Sequence, residues 1–244
     1  MLFQSWIFLP FFLVSFLGHL LLRKTPVRFV WLLFCSYVFY AWISPYFLVV
    51  LIVSTAVDFY AVKWMERSRH KKRWVAFSVV CHVLLLGFFK YGYFVSDNIN
   101  ALLAWLNLDI SIASPNSLLP ESLHFVFPAG ISFYTFQAMS YTIDFYRGIC
   151  QRERSFIRFA TFVSFFPRVL AGPIERARHL LPQMEKESVV RLGDLTDGAS
   201  LFLVGFFKKV AIADVLARYV AAAYDNPAGH SGGTLAMATF AFAW

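Results

Sequence analysis

Residues 127–148 read FPAGISFYTFQAMSYTIDFYRG, and residues 156–183 read FIRFATFVSFFPRVLAGPIERARHLLPQ. These stretches set glycines, prolines, hydroxyls, an amide and charges within otherwise hydrocarbon-rich sequence. In the first, Tyr134, Gln137, Tyr141 and Asp144 recur at spacings of three, four and three, which puts all four on one stripe of a helix. Against lipid each unpaired group would cost several kcal/mol. The stripe therefore predicts a protein interior or a water-accessible cavity. Two readings of it stay open, interhelical hydrogen bonds that lock a bundle and the lining of a substrate path.

From Phe156 to Leu170 the chain is apolar except for Arg158, Thr161, Ser164 and Arg168. That length falls short of the ~20 residues a spanning helix needs. Pro167 and the pair Gly172-Pro173 then break the helix. A short apolar segment ending in helix breakers and an arginine predicts a re-entrant element, tolerated at membrane depth only when buried in protein or lining a cavity. Arg168, Gly172, Pro173 and Glu175 join the stripe as candidate path residues. The alternative is an interfacial helix lying flat, with Arg158 and Arg168 snorkelling to phosphates.

Composition leads to the membrane independently. With 59% hydrophobic, 19% aromatic and 15% charged residues, the chain is too apolar for a soluble domain. Its formal charge of +8 would suit a nucleic-acid partner if the basic residues shared one soluble face. They sit instead in short loops between apolar segments and report orientation.

Phe3 to Leu22 is a first hydrophobic segment without the basic start and small-residue cleavage pattern of a signal peptide. Arg23, Lys24 and Arg28 follow it, so the positive-inside rule puts that loop in the cytoplasm and the N-terminus outside. The run from Phe29 to Met65 exceeds one span and is divided by Ser44-Pro45. The next loop, Arg67 to Arg73, is cytoplasmic by the same rule. Trp74 to about Val95 crosses outward, the connection from Ser96 to Phe125 holds Asp97, Asp109 and Glu121 without lysine or arginine, and Phe127 to Tyr146 returns to Arg147, Arg152 and Arg154. Ala199 to Tyr224 is a further apolar segment interrupted by Lys208, Lys209 and Asp214, whose depth the sequence leaves open. Thr234 to Trp244 covers about half of the ~20 residues of a span, which predicts truncation within a helix. The expected architecture is all-α, a polytopic transmembrane helical bundle with a re-entrant segment, residues 1–244 forming the N-terminal part of a single multispanning domain.

No nucleophile elbow, Gly-rich phosphate loop or zinc-protease motif occurs, and no histidine has the spacing to a second ligand that a metal site requires. His82 lies mid-span, where an ionisable residue is a functional hypothesis by default. A neutral imidazole bonded to a neighbouring helix satisfies the same constraint. His19, His70, His124, His179 and His230 read as solvated or structural. Cys35, Cys81 and Cys150 are not placed for an extracellular disulfide. STAVDFY (54–60) echoes SYTIDFY (140–146), and Asp58 and Asp144 would pair with Lys63 and Arg147 as interfacial anchors.

The blocks FPAGISFYTFQAMSYTIDFYRG, FFPRVLAGPIERARHLLPQ (165–183) and GFFKKVAIADVLA (205–217), with weaker similarity in SYVFYAWISPYFLVVLIVSTAVDFY (36–60), resemble in that order the membrane-bound O-acyltransferase family in its bacterial, alginate O-acetyltransferase-like branch. The resemblance implies a partial fold of that family and an acetyltransferase of the bacterial inner membrane. It would take an acyl group from a cytoplasmic donor, such as acetyl-CoA or another activated acyl carrier, to hydroxyls of an exported polysaccharide such as alginate, with acetylation partner proteins outside. It further implies a catalytic intramembrane histidine beyond Trp244, with His82 the alternative within this chain. No bound cofactor or metal is expected. Arg168, with Arg176 and Arg178, would attract the anionic donor or anchor the loop to headgroups. A transporter or flippase, which also uses broken helices and polar midplane residues, and a non-catalytic membrane subunit of a secretion complex are the rival readings.

Overall fold

The computed structural model describes residues 3, 5–108, 110–114, 128–187 and 189–243. It is all-helical among those residues, and the chain divides into two compact units, Phe11–Glu187 and a second that includes Ser188–Trp244.

α1 (Phe8–Leu22), which belongs to the first unit from Phe11 on, leads into α2 (Val27–Ile43). Pro26 precedes the first residue of α2, where its fixed φ suits a helix start. Ser44, extended in φ at −145°, ends it ahead of Pro45. A single tight turn, Pro45–Phe47, then opens α3 (Leu48–Arg67), so the expected division at Ser44-Pro45 is present. Gly18 lets α1 and α2 approach closely, because a Cβ there would lie 2.4 Å from the Trp31 indole, whose Nε1 donates to Ser15 O at 3.0 Å.

α4 (Lys71–Leu86) passes through a widened, π-type turn at Gly87–Tyr91 into α5 (Gly92–Trp105). This corrects one boundary. The connection expected from Ser96 is helical as far as Trp105, since no proline or glycine stops the helix between Tyr93 and Trp105. Asp109, Glu121, His124, Phe125 and Phe127 lie outside the described residues. The next described helix, α6, covers Ile131–Tyr146, and α7 (Phe156–Ser164) and α8 (Ala177–Glu185) follow it.

Among the described residues, α3 and α4 with α5 are the two stretches long and apolar enough to cross a membrane by length and composition. Their residues sort by burial in the sense opposite to a soluble helix. On α3, Ser54, Thr55 and Asp58 are buried while Val49, Val53 and Trp64 are exposed. On α4, Ser78 and His82 are buried while Phe77, Val80, Val83 and Leu84 face out. Polar groups inside and large apolar groups outside is the arrangement hydrocarbon surroundings demand.

α7 is the centre of the packing. Phe159 to Ser164 are buried consecutively, as in a helix enclosed on all sides. It packs on α2 and α3, with α6 and α8 beside it, and α6 packs on α3 and α4. A nine-residue helix cannot span a bilayer, and its burial meets the condition for a re-entrant element rather than for one lying flat on the surface. Arg158 does not reach outward either. It pairs with Glu153 at 2.8 Å and with Glu185.

The basic connections meet at one end of this unit. The buried Arg28 guanidinium donates to Arg23 O (2.9 Å), Lys186 O (3.0 Å) and Glu185 O (2.5 Å), satisfying carbonyls at the end of α8. Arg152 pairs with Glu66 at the end of α3.

In the second unit α9 (Leu192–Phe207) runs through a widened turn, Lys208–Ala213, into α10 (Asp214–Asp225), and α11 (Gly232–Ala243) packs against α10. Two of the three charges that interrupt this apolar segment answer one another, Lys209 Nζ lying 2.5 Å from Asp214 Oδ1. Trp244 lies outside the described residues.

Candidate functional site

The periodic stripe on α6 faces inward as a unit. Tyr134, Gln137, Tyr141 and Asp144 are 1%, 6%, 0% and 0% exposed. Gln137 Nε2 donates to Phe162 O at 2.7 Å, a carbonyl in the last turn of α7 that has no following helical N–H. Tyr141 OH accepts from Glu153 N at 2.8 Å, and its ring lies 4.6 Å from that of Phe159. Asp144 Oδ1 accepts from Arg176 Nη1 at 2.7 Å, while its Oδ2 is buried without a partner among the described residues. From Gln137 to Asp144 the stripe is thus joined to the segment from Glu153 to Arg176.

The turn that follows α7 seats on the start of α6. Gly130 takes the left-handed conformation, φ +69°, and a Cβ on it would lie 2.3 Å from Val169 O. Only glycine meets both conditions. Arg168 is half-buried, with Nε and Nη2 sealed and unpartnered among the described residues, and Glu175 acts on it electrostatically. Gly172 N donates to Arg168 O at 2.9 Å, and a Cβ on Gly172 would press on Arg168 Cβ at 2.5 Å. Pro173 is exposed and does not join the buried face.

A second polar centre involves residues the sequence reading did not group. Asp58 on α3 is fully buried and accepts from Ser78 Oγ of α4 at 2.5 Å and from Thr142 Oγ1 of α6 at 2.6 Å. Its other oxygen lies 2.5 Å from His82 Nε2 of α4. Three helices therefore meet at one carboxylate. The expected pairs with Lys63 and Arg147 are corrected, because Asp58 points into the bundle, Lys63 lies over the Tyr60 ring at 5.5 Å, and Asp144 takes Arg176. The spacing of Ser78 and His82, four apart and so on one helix face, was the available signal for this centre. His82 Nδ1 is buried and unpartnered among the described residues.

Of the arginines expected at the mouth, Arg176 is committed to Asp144, and Arg178 Nε donates to His179 Nε2 at 3.1 Å. In the connection between α6 and α7, burial pushes the Cys150 thiol up to about 11, with the Asp144 carboxylate adding to the shift. Its sulfur lies 3.9 Å from Tyr141 O.

Over 89% of its length the chain is 38% identical to a probable alginate O-acetylase of Pseudomonas syringae pv. tomato and 36% identical to one of Azotobacter vinelandii, covering 41% and 42% of those proteins. It is 31% identical to a peptidoglycan O-acetyltransferase of Helicobacter pylori over 93% of the chain and 47% of that relative. The chain spans less than half the length of these curated relatives. No family model matches it, and no solved structure matches it significantly. Over about nine tenths of its length the chain is therefore similar to proteins named as alginate O-acetylases, in keeping with the resemblance its sequence carries to membrane-bound O-acyltransferases.

Proposed function

We propose that the chain is part of an enzyme that transfers acetyl groups from an activated donor on the cytoplasmic side of the bacterial inner membrane to hydroxyls of an exported polysaccharide. The observation that carries this reading is the identity, over about nine tenths of the chain, with proteins named for acetylating alginate, supported by a relative named for acetylating peptidoglycan. Those names differ in the glycan and share the transfer of an acetyl group to it. Alginate, or a polymer chemically like it, is the favoured acceptor.

In this reading the basic end gathered by Arg28, Arg152 and Arg158 faces the cytoplasm, the protein crosses the membrane several times, and the N-terminus lies outside. The inward stripe of α6 and the Arg168–Glu175 turn border the acyl path. Gln137 and Asp144 act as positioning residues, because their polar atoms are engaged with Phe162 and Arg176. Attack by a sugar hydroxyl on an activated carbonyl needs a base for the hydroxyl proton. We assign that base to a histidine of the longer enzyme, because His82 is sealed at 1% exposure against Asp58. Acetylation partner proteins would act on the outer side.

Deleting the full-length gene and restoring it tests this. Deletion should leave polysaccharide secretion intact while removing its acetyl esters, and complementation should return them. Loss of the polymer itself from the medium would favour the transporter, and unchanged acetylation would contradict the reading.

A further inference from the structure

Two tyrosines and an arginine carry buried polar atoms that the packing leaves unused. Tyr40 of α2 and Tyr134 of α6 are 0% and 1% exposed, with ring centroids 6.2 Å apart, edge to face. Their hydroxyls face one another, with Tyr134 donating toward Tyr40 in imperfect geometry, and neither has any other hydrogen-bond partner among the described residues. Even where one phenol donates to the other, one O–H remains to donate. Arg168 adds Nε and Nη2, both sealed and unpartnered among the described residues.

The turn carrying Arg168 seats one helical turn from each tyrosine. Phe166 N donates to Ser36 Oγ at 3.2 Å, and Ser36 lies four residues before Tyr40 on α2. Val169 meets Gly130, four residues before Tyr134. Arg168 lies between those two anchors in sequence. Unmatched buried donors are destabilising and uncommon in folded proteins. Here they recur at three residues on adjoining elements, and they are alike in chemistry. A guanidinium only donates, and the spare phenol hydrogen donates, so the complementary ligand is an oxygen acceptor.

We propose that Tyr40, Tyr134 and Arg168 form a binding site for the carbonyl or carboxylate oxygen of a small acyl group. The site rests on the acyl-transfer reading above and deepens it by naming the group recognised inside the bundle. Tyr40 is the new member, contributed by a helix that carries none of the other path residues.

The test replaces Tyr40 and Tyr134 separately by Phe in the full-length protein and measures membrane level, thermal midpoint in detergent and acetyl esters on the polymer. Removing one hydroxyl breaks at most the contact between the two phenols and should leave the midpoint within ~4 °C of wild type, whereas transfer should fall by about tenfold or more, the scale of one lost hydrogen bond to the reacting group. Transfer within about twofold of wild type overturns the site while leaving the parent reading intact. A midpoint lowered by more than ~4 °C alongside lowered transfer also overturns it, since that marks the hydroxyls as packing groups with further partners. Absence of transfer by the wild-type protein would overturn the parent reading, and this site with it.

Discussion

His82 Nε2 lies 2.5 Å from Asp58 Oδ2 in a part of the bundle where both residues are at most 1% exposed. Ser78 and Thr142 saturate the other carboxylate oxygen, so one aspartate ties α3, α4 and α6 together. Sealed on all sides, the pair has the geometry of a lock between helices.

Asp58→Asn therefore keeps the lock. An amide carbonyl accepts from Ser78 and Thr142, and its NH2 donates to His82 Nε2, so all three bonds survive a change of tautomer. Thermal unfolding in detergent should give a midpoint within ~3 °C of wild type for Asp58→Asn and a fall on the order of 10 °C for Asp58→Leu, which strands His82, Ser78 and Thr142. Equal midpoints for the two variants would deny the lock.

Gln137→Leu removes the donor to Phe162 O and leaves a buried carbonyl at the end of α7 unsatisfied. The expected cost is about 1–3 kcal/mol, read as a lower unfolding midpoint. Gln137→Glu, which keeps the shape but loses the amide donor, should be no better. A neutral effect for both would mean that α7 is held by its apolar contacts alone.

Cys150 should react slowly. With its thiol pushed up from 9.0 to about 11, the thiolate present near pH 8 is about 100-fold scarcer than for an unperturbed group. Maleimide labelling in detergent should be slow at pH 8 and accelerate as pH rises toward 11. Asp144→Asn removes one cause of the shift and should raise the rate at a given pH. A rate at pH 8 equal to that of the denatured protein would contradict the burial.

Orientation is checked with single cysteines in intact cells. Leu106→Cys, just past α5 and exposed, should react with an impermeant reagent, and His70→Cys, between α3 and α4, should be protected. The opposite pattern would reverse the side assigned to the donor. Asn107 is avoided because its φ of +54° would strain a cysteine.

The parts of this architecture that were legible in sequence are those set by local rules. Ser44-Pro45 stops a helix through proline sterics, and the period of Tyr134, Gln137, Tyr141 and Asp144 fixes which side of α6 they share. Local rules do not say which distant group an inward side chain meets. Asp58 and Thr142 are 84 residues apart, and nothing in STAVDFY distinguishes an interior carboxylate from an interfacial anchor. Arg28 served the topology as a basic loop residue, yet two of the three carbonyls it donates to lie 157 and 158 positions away. Tyr40 stood among aromatic residues suited equally to lipid or to packing, and only its closeness to Tyr134 sets it apart. The extension of α5 past Val95 was hidden because SDNIN is polar, and polarity marks a helix leaving hydrocarbon as readily as a loop.

The most direct test of the central claim, that the α6 stripe and the turn after α7 serve acyl transfer, is the acetyl content of exported polysaccharide in cells carrying the full-length protein with Arg168→Gln. At matched membrane levels the account predicts that acetyl esters fall by about tenfold or more, because the replacement removes the charge and the planar donor fork together. Acetylation equal to wild type at those same levels would contradict it, leaving the turn and the stripe as packing between helices.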